Sequence, residues 1–298
     1  MNAALSFEEK AQRIRGVMFD IDGCLILSDG PGGFGGKPLP GAIEAVNKVR
    51  QSGLPFVIFT NGSMQTPEQI GAELRKNGFD VRDEEVFTPA VVAAQIMKAR
   101  YPEEPILVFG GEGVKSPFRK LGLNTMVPEE QFDGLKEQPV GVVIGWDTEF
   151  GLQKAQIASE AIMAGAKLFC TSFASFFASK TRLNVGISGF ITAGLMHVTG
   201  CEVEVLGKPS QSAIDAICLA MGVQPDELLI IGDDLPAEAR MAIRAGGVGC
   251  IVTTGTATRE MAENAPDEMA PDVIVDSMHE FMDIFDPYLS VREEIGSQ

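Results

Sequence analysis

Histidine is nearly missing from this chain: only His197 and His279 occur in 298 residues. With so little imidazole, neither a Ser–His–Asp set nor a histidine-based zinc cluster can be assembled. His197 lies in an apolar helical pattern with Ile191, Leu195 and Met196, and is expected to be packed rather than catalytic. Cysteine is sparse and scattered at 24, 170, 201, 218 and 250, in apolar surroundings and without paired metal-ligand spacing. An odd, dispersed set of this kind suits a reducing compartment and excludes a disulfide framework. Also lacking is any run of roughly 18 uncharged apolar residues, so a membrane is not an expected partner. The first fifteen residues carry Glu8, Glu9, Lys10, Arg13 and Arg15 where a secretory signal would place its apolar core, which makes the cytoplasm the expected location. Cations are outnumbered, 24 Lys and Arg against 41 Asp and Glu, for a net charge of −17. Nothing in that balance would attract a nucleic-acid backbone. A bound metal and a lysine can nonetheless reverse the field locally for a small phosphorylated substrate.

What the chain does have is an ordinary globular composition, 45% hydrophobic and 22% charged, in a length that allows two domains or one large one. Short apolar runs then end, one after another, in polar or acidic residues. Val17-Met18-Phe19 runs into Asp20-Ile21-Asp22-Gly23, and Phe56-Val57-Ile58-Phe59 into Thr60-Asn61-Gly62-Ser63. Val203-Glu204-Val205-Leu206 leads to Gly207-Lys208-Pro209-Ser210, and Leu228-Leu229-Ile230-Ile231 to Gly232-Asp233-Asp234. Cys250-Ile251-Val252 and Asp272-Val273-Ile274-Val275 complete the set. In open α/β sheets, ligands bind in the crevice outside the carboxyl ends of the strands. The pattern therefore brings acid, hydroxyl, amine and acid to one crevice.

Helices alternate with these runs. Ile43, Val46 and Val49 share a helical face that ends at Gly53, and Thr66-Pro67-Glu68-Gln69 reads as an N-cap, a first-turn proline and a capping-box glutamine for a helix reaching Gly78. Alternation of this kind implies a parallel sheet with right-handed crossovers. Between the Thr60 run and Lys208 the order is interrupted by further strand candidates at 105–110, 140–146 and 167–171, with helical stretches around 114–121 and 152–164. The expected organisation is a core of 1–88 plus 205–298, with 89–204 inserted as an α/β lid over the crevice. The glycine-rich segment 28–37 reads as a flexible surface loop, or else as a mobile flap beside the site. Its spacing does not fit a dinucleotide fingerprint.

Taken in order, the motifs at Asp20, Thr60, Lys208 and Asp233 closely resemble those of the haloacid dehalogenase superfamily of Mg-dependent phosphohydrolases. The long interval between the second and third is similar to subclass IIA, the para-nitrophenyl phosphatase-like branch, and the likeness spans roughly residues 14 to 285. It implies a Rossmann-like doubly wound core with an inserted α/β cap, and it admits a homodimer joined through that cap. It also implies hydrolysis of a small phosphorylated metabolite, of nucleotide monophosphate, phosphoglycolate or sugar phosphate type.

In that resemblance Asp20 is the nucleophile, since a carboxylate can form an acyl phosphate and split hydrolysis into two displacements. Asp22 serves as acid and then base. Thr60, with the Asn61 and Gly62 amides, faces the transferring oxygens, and Lys208 bridges Asp20 and the phosphoryl group. Mg²⁺ would be shared by the Asp20 carboxylate, the Asp22 main-chain oxygen and Asp233. Asp234 either supports the ion or caps a helix starting near Pro236. Glu238 stands where the family carries aspartate. Thr171-Ser172-Phe173-Ala174 falls where the subclass has a more polar loop facing the substrate. There Phe173 or Ser175 is a candidate leaving-group contact, although Phe173, Phe176 and Phe177 are by composition mostly core residues. Two other classes compete: a phospho-acceptor signalling module and an idle binding protein with this fold. The Asp20/Asp22 pair favours the enzyme, because a second carboxylate has little use without turnover.

Overall fold

The computed structural model describes residues 5–28, 33–178 and 183–289, with the side chains of 176–178, 183 and 184 excepted. The first part of the chain supplies strands β1 (Gly16–Phe19), β2 (Ile26–Leu27), β3 (Lys37–Pro38), β4 (Phe56–Phe59) and β5 (Val86–Phe87). The middle supplies β6 (Ile106–Phe109), β7 (Thr125–Met126), β8 (Gly141–Ile144), β9 (Lys167–Cys170), β10 (Phe176–Ala178), β11 (Leu183–Val185) and β12 (Val203–Val205). The last part adds β13 (Leu228–Gly232), β14 (Val248–Val252) and β15 (Val273–Val275).

Six strands make one parallel sheet in the order β15-β14-β13-β1-β4-β5. Side chains alternate across it. Val17, Phe19, Ile58 and Ile231 face a core formed with helices Ala42–Ser52, Pro67–Lys76 and Met278–Phe285. Met18, Val57, Phe59 and Ile230 face the opposite layer, with Pro89–Arg100, Gln211–Met221 and Arg240–Ala245. Because both faces are covered, the strands read as unbroken apolar runs rather than alternating ones. This is a doubly wound α/β architecture. The Thr66 capping box forms as the sequence predicts, with Gln69 N–H donating to Thr66 Oγ1 at 3.3 Å and Thr66 N–H to Gln69 Oε1 at 2.9 Å.

A second parallel sheet, β12-β9-β8-β6-β7, is inserted between the halves of the first. Leu107, Phe109, Val142 and Ile144 pack against helices Leu152–Met163 and Ile187–Thr199. Ile106, Val108, Val143 and Phe169 turn to the other side, where they join Val114 and Phe118 of helix Glu112–Lys120. That side merges with the core layer through helix Pro89–Arg100, so one apolar cluster runs from the first sheet to the second.

One strand departs from expectation. Residue 205, expected to begin the second part of the core, belongs with 203 and 204 to the edge strand of the second sheet, paired with β9. Both flanks of β1 are already occupied, by β13 and β4, and β12 is only half-buried, as an edge strand can be. Lys208 therefore reaches the crevice from above. The edges of the glycine-rich segment pair as the antiparallel hairpin β2–β3, while residues 29–32 lie outside the described part. Among the described residues no helix is long and apolar enough to cross a membrane.

Candidate active site

Asp20 is the first residue past β1. Its N–H still donates to the Ile231 carbonyl at 2.8 Å, which locks it to β13. Lys208 Nζ lies 2.5 Å from Asp20 Oδ1, 2.7 Å from Glu238 Oε1 and 2.7 Å from the Phe59 carbonyl. One buried ammonium thus ties together the ends of β1, β4 and β13. Burial alone would lower the Lys208 pKa, but Asp20 and Glu238 more than offset it, and the group is held well above its usual value.

Asp233 follows β13 directly. Its Oδ2 accepts the Thr256 N–H at 2.6 Å, and its carboxylate presses on Gly23 and Gly255, neither of which has room for a Cβ. Burial first, and then the Asp20 charge, push its pKa up to about 7. Glu238, fully buried, is pushed up to about 8 by the same burial and by Asp20, Asp233 and Asp234, against the pull of Lys208. Asp234 is also raised, first by burial. Four carboxylates crowd one ammonium. That unmet negative charge, presented on oxygen, suits a divalent cation such as Mg²⁺. Asp20 and Asp233 are the side chains placed to hold it. Among the described residues no three His, Cys, Asp or Glu side chains could hold a metal ion on their own. Asp234 is half-buried and makes no side-chain cap hydrogen bond to the turn it begins, so the capping alternative is not what forms.

The Asp22 carboxylate turns toward the glycine-rich segment, where its Oδ1 accepts from Ser28 Oγ at 3.1 Å and Gly33 N at 2.9 Å. Thr60 is buried and its Oγ1 accepts the Gly62 N–H at 3.0 Å, so that amide closes on its own neighbour. Asn61 does something unforeseen. Its side chain accepts the Lys208 N–H at 2.9 Å and donates to the Lys208 carbonyl at 3.1 Å, clamping the lysine's backbone as a strand would. Phe173 is 42% exposed rather than core, because the chain leaves the sheet after Cys170 and the apolar space beyond β9 is filled by Ile191 and Leu195. The Phe176 and Phe177 side chains lie outside the described part. His197 is exposed: the buried stripe of its helix runs through Ser188, Ile191, Thr192 and Leu195, and His197 falls on the other face.

Glu238 was visible in the sequence only as a departure from the family's aspartate. Thr254 and Thr256 belong to no motif legible in the sequence, although they lie within four residues of the end of the apolar run of β14. Thr254 Oγ1 donates to the Gly23 carbonyl at 2.6 Å while the Thr256 amide holds Asp233. Together they lash the β14 loop to both acidic motifs.

With this geometry in hand, comparison with known proteins is decisive for the family. Residues 17–124 match the model of haloacid dehalogenase-like hydrolases, and 205–281 match a second model described as haloacid dehalogenase-like. The phospholysine phosphohistidine inorganic pyrophosphate phosphatase of Bos taurus is 32% identical over 279 residues, 93% of this chain and 96% of that one. A 5'-nucleotidase of Bacillus subtilis (strain 168) is 26% identical over 92% of this chain and 98% of its own. The crystal structure of a 4-nitrophenylphosphatase from Thermotoga maritima superposes with a TM-score of 0.79 at 26% identity, covering 92% of this chain and 98% of that chain. The chain belongs to the haloacid dehalogenase-like hydrolases.

Proposed function

We propose that this phosphomonoester hydrolase is Mg²⁺-dependent and works through a phosphoryl group carried on Asp20. The observation that supports this best is the buried Lys208 ammonium, held 2.5 Å from Asp20 Oδ1 at the carboxyl ends of the strands. An Asp20 carboxylate oxygen attacks phosphorus, the bond to the leaving oxygen breaks, and Asp22 supplies the proton that oxygen needs. Water then attacks the acyl phosphate, Asp22 takes back a proton, and inorganic phosphate departs. Lys208 offsets the charge on the phosphoryl oxygens, and buried Thr60 borders the place they occupy. The metal, where bound, would neutralise charge on the phosphoryl oxygens.

The substrate we infer is a small phosphorylated metabolite of nucleotide monophosphate, phosphoglycolate or sugar phosphate type. The nucleotidase and nitrophenylphosphatase named above support that class. Five cysteines without a disulfide support a cytoplasmic setting.

The test is release of inorganic phosphate from para-nitrophenyl phosphate. Chelator should stop it, and Mg²⁺ should restore it better than Ca²⁺, which prefers more ligands and looser geometry. Asp20→Asn, nearly isosteric but unable to attack phosphorus, should abolish turnover with folding intact. Less than roughly a hundredfold loss, the range of general catalytic effects alone, would remove Asp20 as nucleophile. A stable phosphorylated protein without turnover would point to a signalling module instead.

A further inference from the structure

Residues 33–36, in the described part of the glycine-rich segment, lie close to Ile21, Ile26 and helix Pro67–Lys76. Gly33 adopts φ +76° and Gly35 φ +69°. A Cβ on Gly33 would lie 3.1 Å from both the Ile21 and Ile26 side chains, and one on Gly36 would lie 2.5 Å from Ile26 Cγ2 and 2.7 Å from the Leu27 carbonyl. Glycine is thus favoured at 33 and 35 by the positive φ, and at 36 by close approach to the strand that follows the Asp22 turn. That turn is itself pinned, with the Leu25 and Ile26 amides on the Ile21 carbonyl at 2.9 Å and Gly23 N–H on the Ile26 carbonyl at 2.8 Å. On its outer side Gly35 N–H donates to Glu73 Oε1 at 3.3 Å, so helix Pro67–Lys76 also holds the hairpin. At the end of this chain of contacts, Ser28 Oγ and Gly33 N both donate to the same oxygen of Asp22. Two donors on one oxygen of the Asp22 carboxyl restrict the rotation of the group.

We propose that Ser28 is a positioning residue for proton transfer, orienting the Asp22 carboxylate together with the Gly33 amide. The proposal rests on the phosphatase reading given above. If Asp22 donates the proton to the leaving oxygen, its orientation matters in proportion to how badly that oxygen needs one. Para-nitrophenolate leaves readily without a proton; phenolate is a poorer leaving group and gains more from protonation. A residue that only stabilised the hairpin would affect both esters equally.

The experiment measures kcat and KM of the Mg²⁺-loaded full chain on para-nitrophenyl phosphate and on phenyl phosphate, for wild type, Ser28→Ala and Ser28→Thr. Losing this orienting hydrogen bond should lower kcat on phenyl phosphate by roughly tenfold. On para-nitrophenyl phosphate the loss should stay below about twofold, which also shows the variant folded, and KM should not move. Ser28→Thr, which keeps the hydroxyl, should recover the phenyl phosphate rate. A common loss on both esters, no loss on either, or a change confined to KM overturns the role of Ser28 while leaving the phosphatase reading intact. A wild type that hydrolyses neither ester overturns both.

Discussion

Glu238 is one methylene longer than the aspartate that the family resemblance implies at this position, and Gly232 makes the room. A Cβ on Gly232 would collide with the glutamate's stem. The π-helical turn Leu235–Ala239 brings the carboxylate back so that Oε2 accepts the Asp234 N–H at 3.0 Å while Oε1 meets Lys208. Such single π turns recur at functional sites. Glu238→Gln keeps an acceptor for the Asp234 N–H but turns an amide donor, instead of a carboxyl oxygen, toward the Lys208 ammonium. It should lower kcat roughly 10–100-fold, as loss of an outer supporting group does, with one factor for every phosphate ester assayed. A loss that differs from ester to ester would mean that Glu238 faces the substrate. At this scale the acids were legible, because each follows an unbroken apolar run and a parallel sheet gathers such ends. The clamps on them were not. Asn61 reaches Lys208 across 147 positions and Thr254 reaches Gly23 across 231, and no local pattern announces contacts so distant.

Elements were read well where they are long and poorly where they are short. Strands of two residues, Val86–Phe87 and Thr125–Met126, are too brief to show a period, and their places follow from the sheets they edge. The first is held by the 3₁₀ turn Asp83–Glu85, whose buried Glu85 accepts from Arg50 at 2.7 and 2.9 Å and from the Arg82 guanidinium at 2.5 and 3.0 Å. Burial would raise the Glu85 pKa, but the two arginines prevail and hold it below the usual carboxylate value. A depressed acid stabilises the fold above its unfolded pKa and loses that contribution as pH falls through its folded value. Glu85→Gln should therefore cost roughly 1.5–3 kcal/mol at neutral pH, the range for hydrogen bonds to charged groups. The gap to wild type should close in acid, below the ordinary range for glutamate. Denaturant melts at several pH values check this, and a gap independent of pH would mean that packing, not charge, does the holding. The placement of residues 203–205 illustrates a different limit. An apolar run says that a strand forms but not which sheet takes it.

For the whole molecule, the consequence is that the chain crosses between its two sheets twice at nearly the same point. Gly207 sits against the Thr171 carbonyl, the Asn61 side chain and Pro89, with no room for a Cβ. The outgoing crossing at Thr88–Pro89, the returning one at Leu206–Gly207 and the end of β9 thus meet one residue from Lys208. A pocket between two α/β units is the usual setting for a small substrate, and relative motion about such a crossing would admit the substrate and shut out water. The loop after β9 starts at this junction. Its backbone is seated, since Gly186 and Gly189 have no space for a Cβ against the Ala174 carbonyl, yet the Phe173 ring is left 42% exposed. A held backbone with a projecting ring is suited to sorting leaving groups. Phe173→Ala should therefore reorder a panel of phosphorylated metabolites ranked by kcat/KM, with metal dependence unchanged. Lys208→Ala, which removes the ammonium from Asp20, Glu238 and the Phe59 carbonyl and touches no leaving group in the proposed reaction, should depress the whole panel alike. Should Phe173→Ala instead lower every substrate by one common factor, the ring is packing, and the choice of substrate is made elsewhere on the inserted sheet.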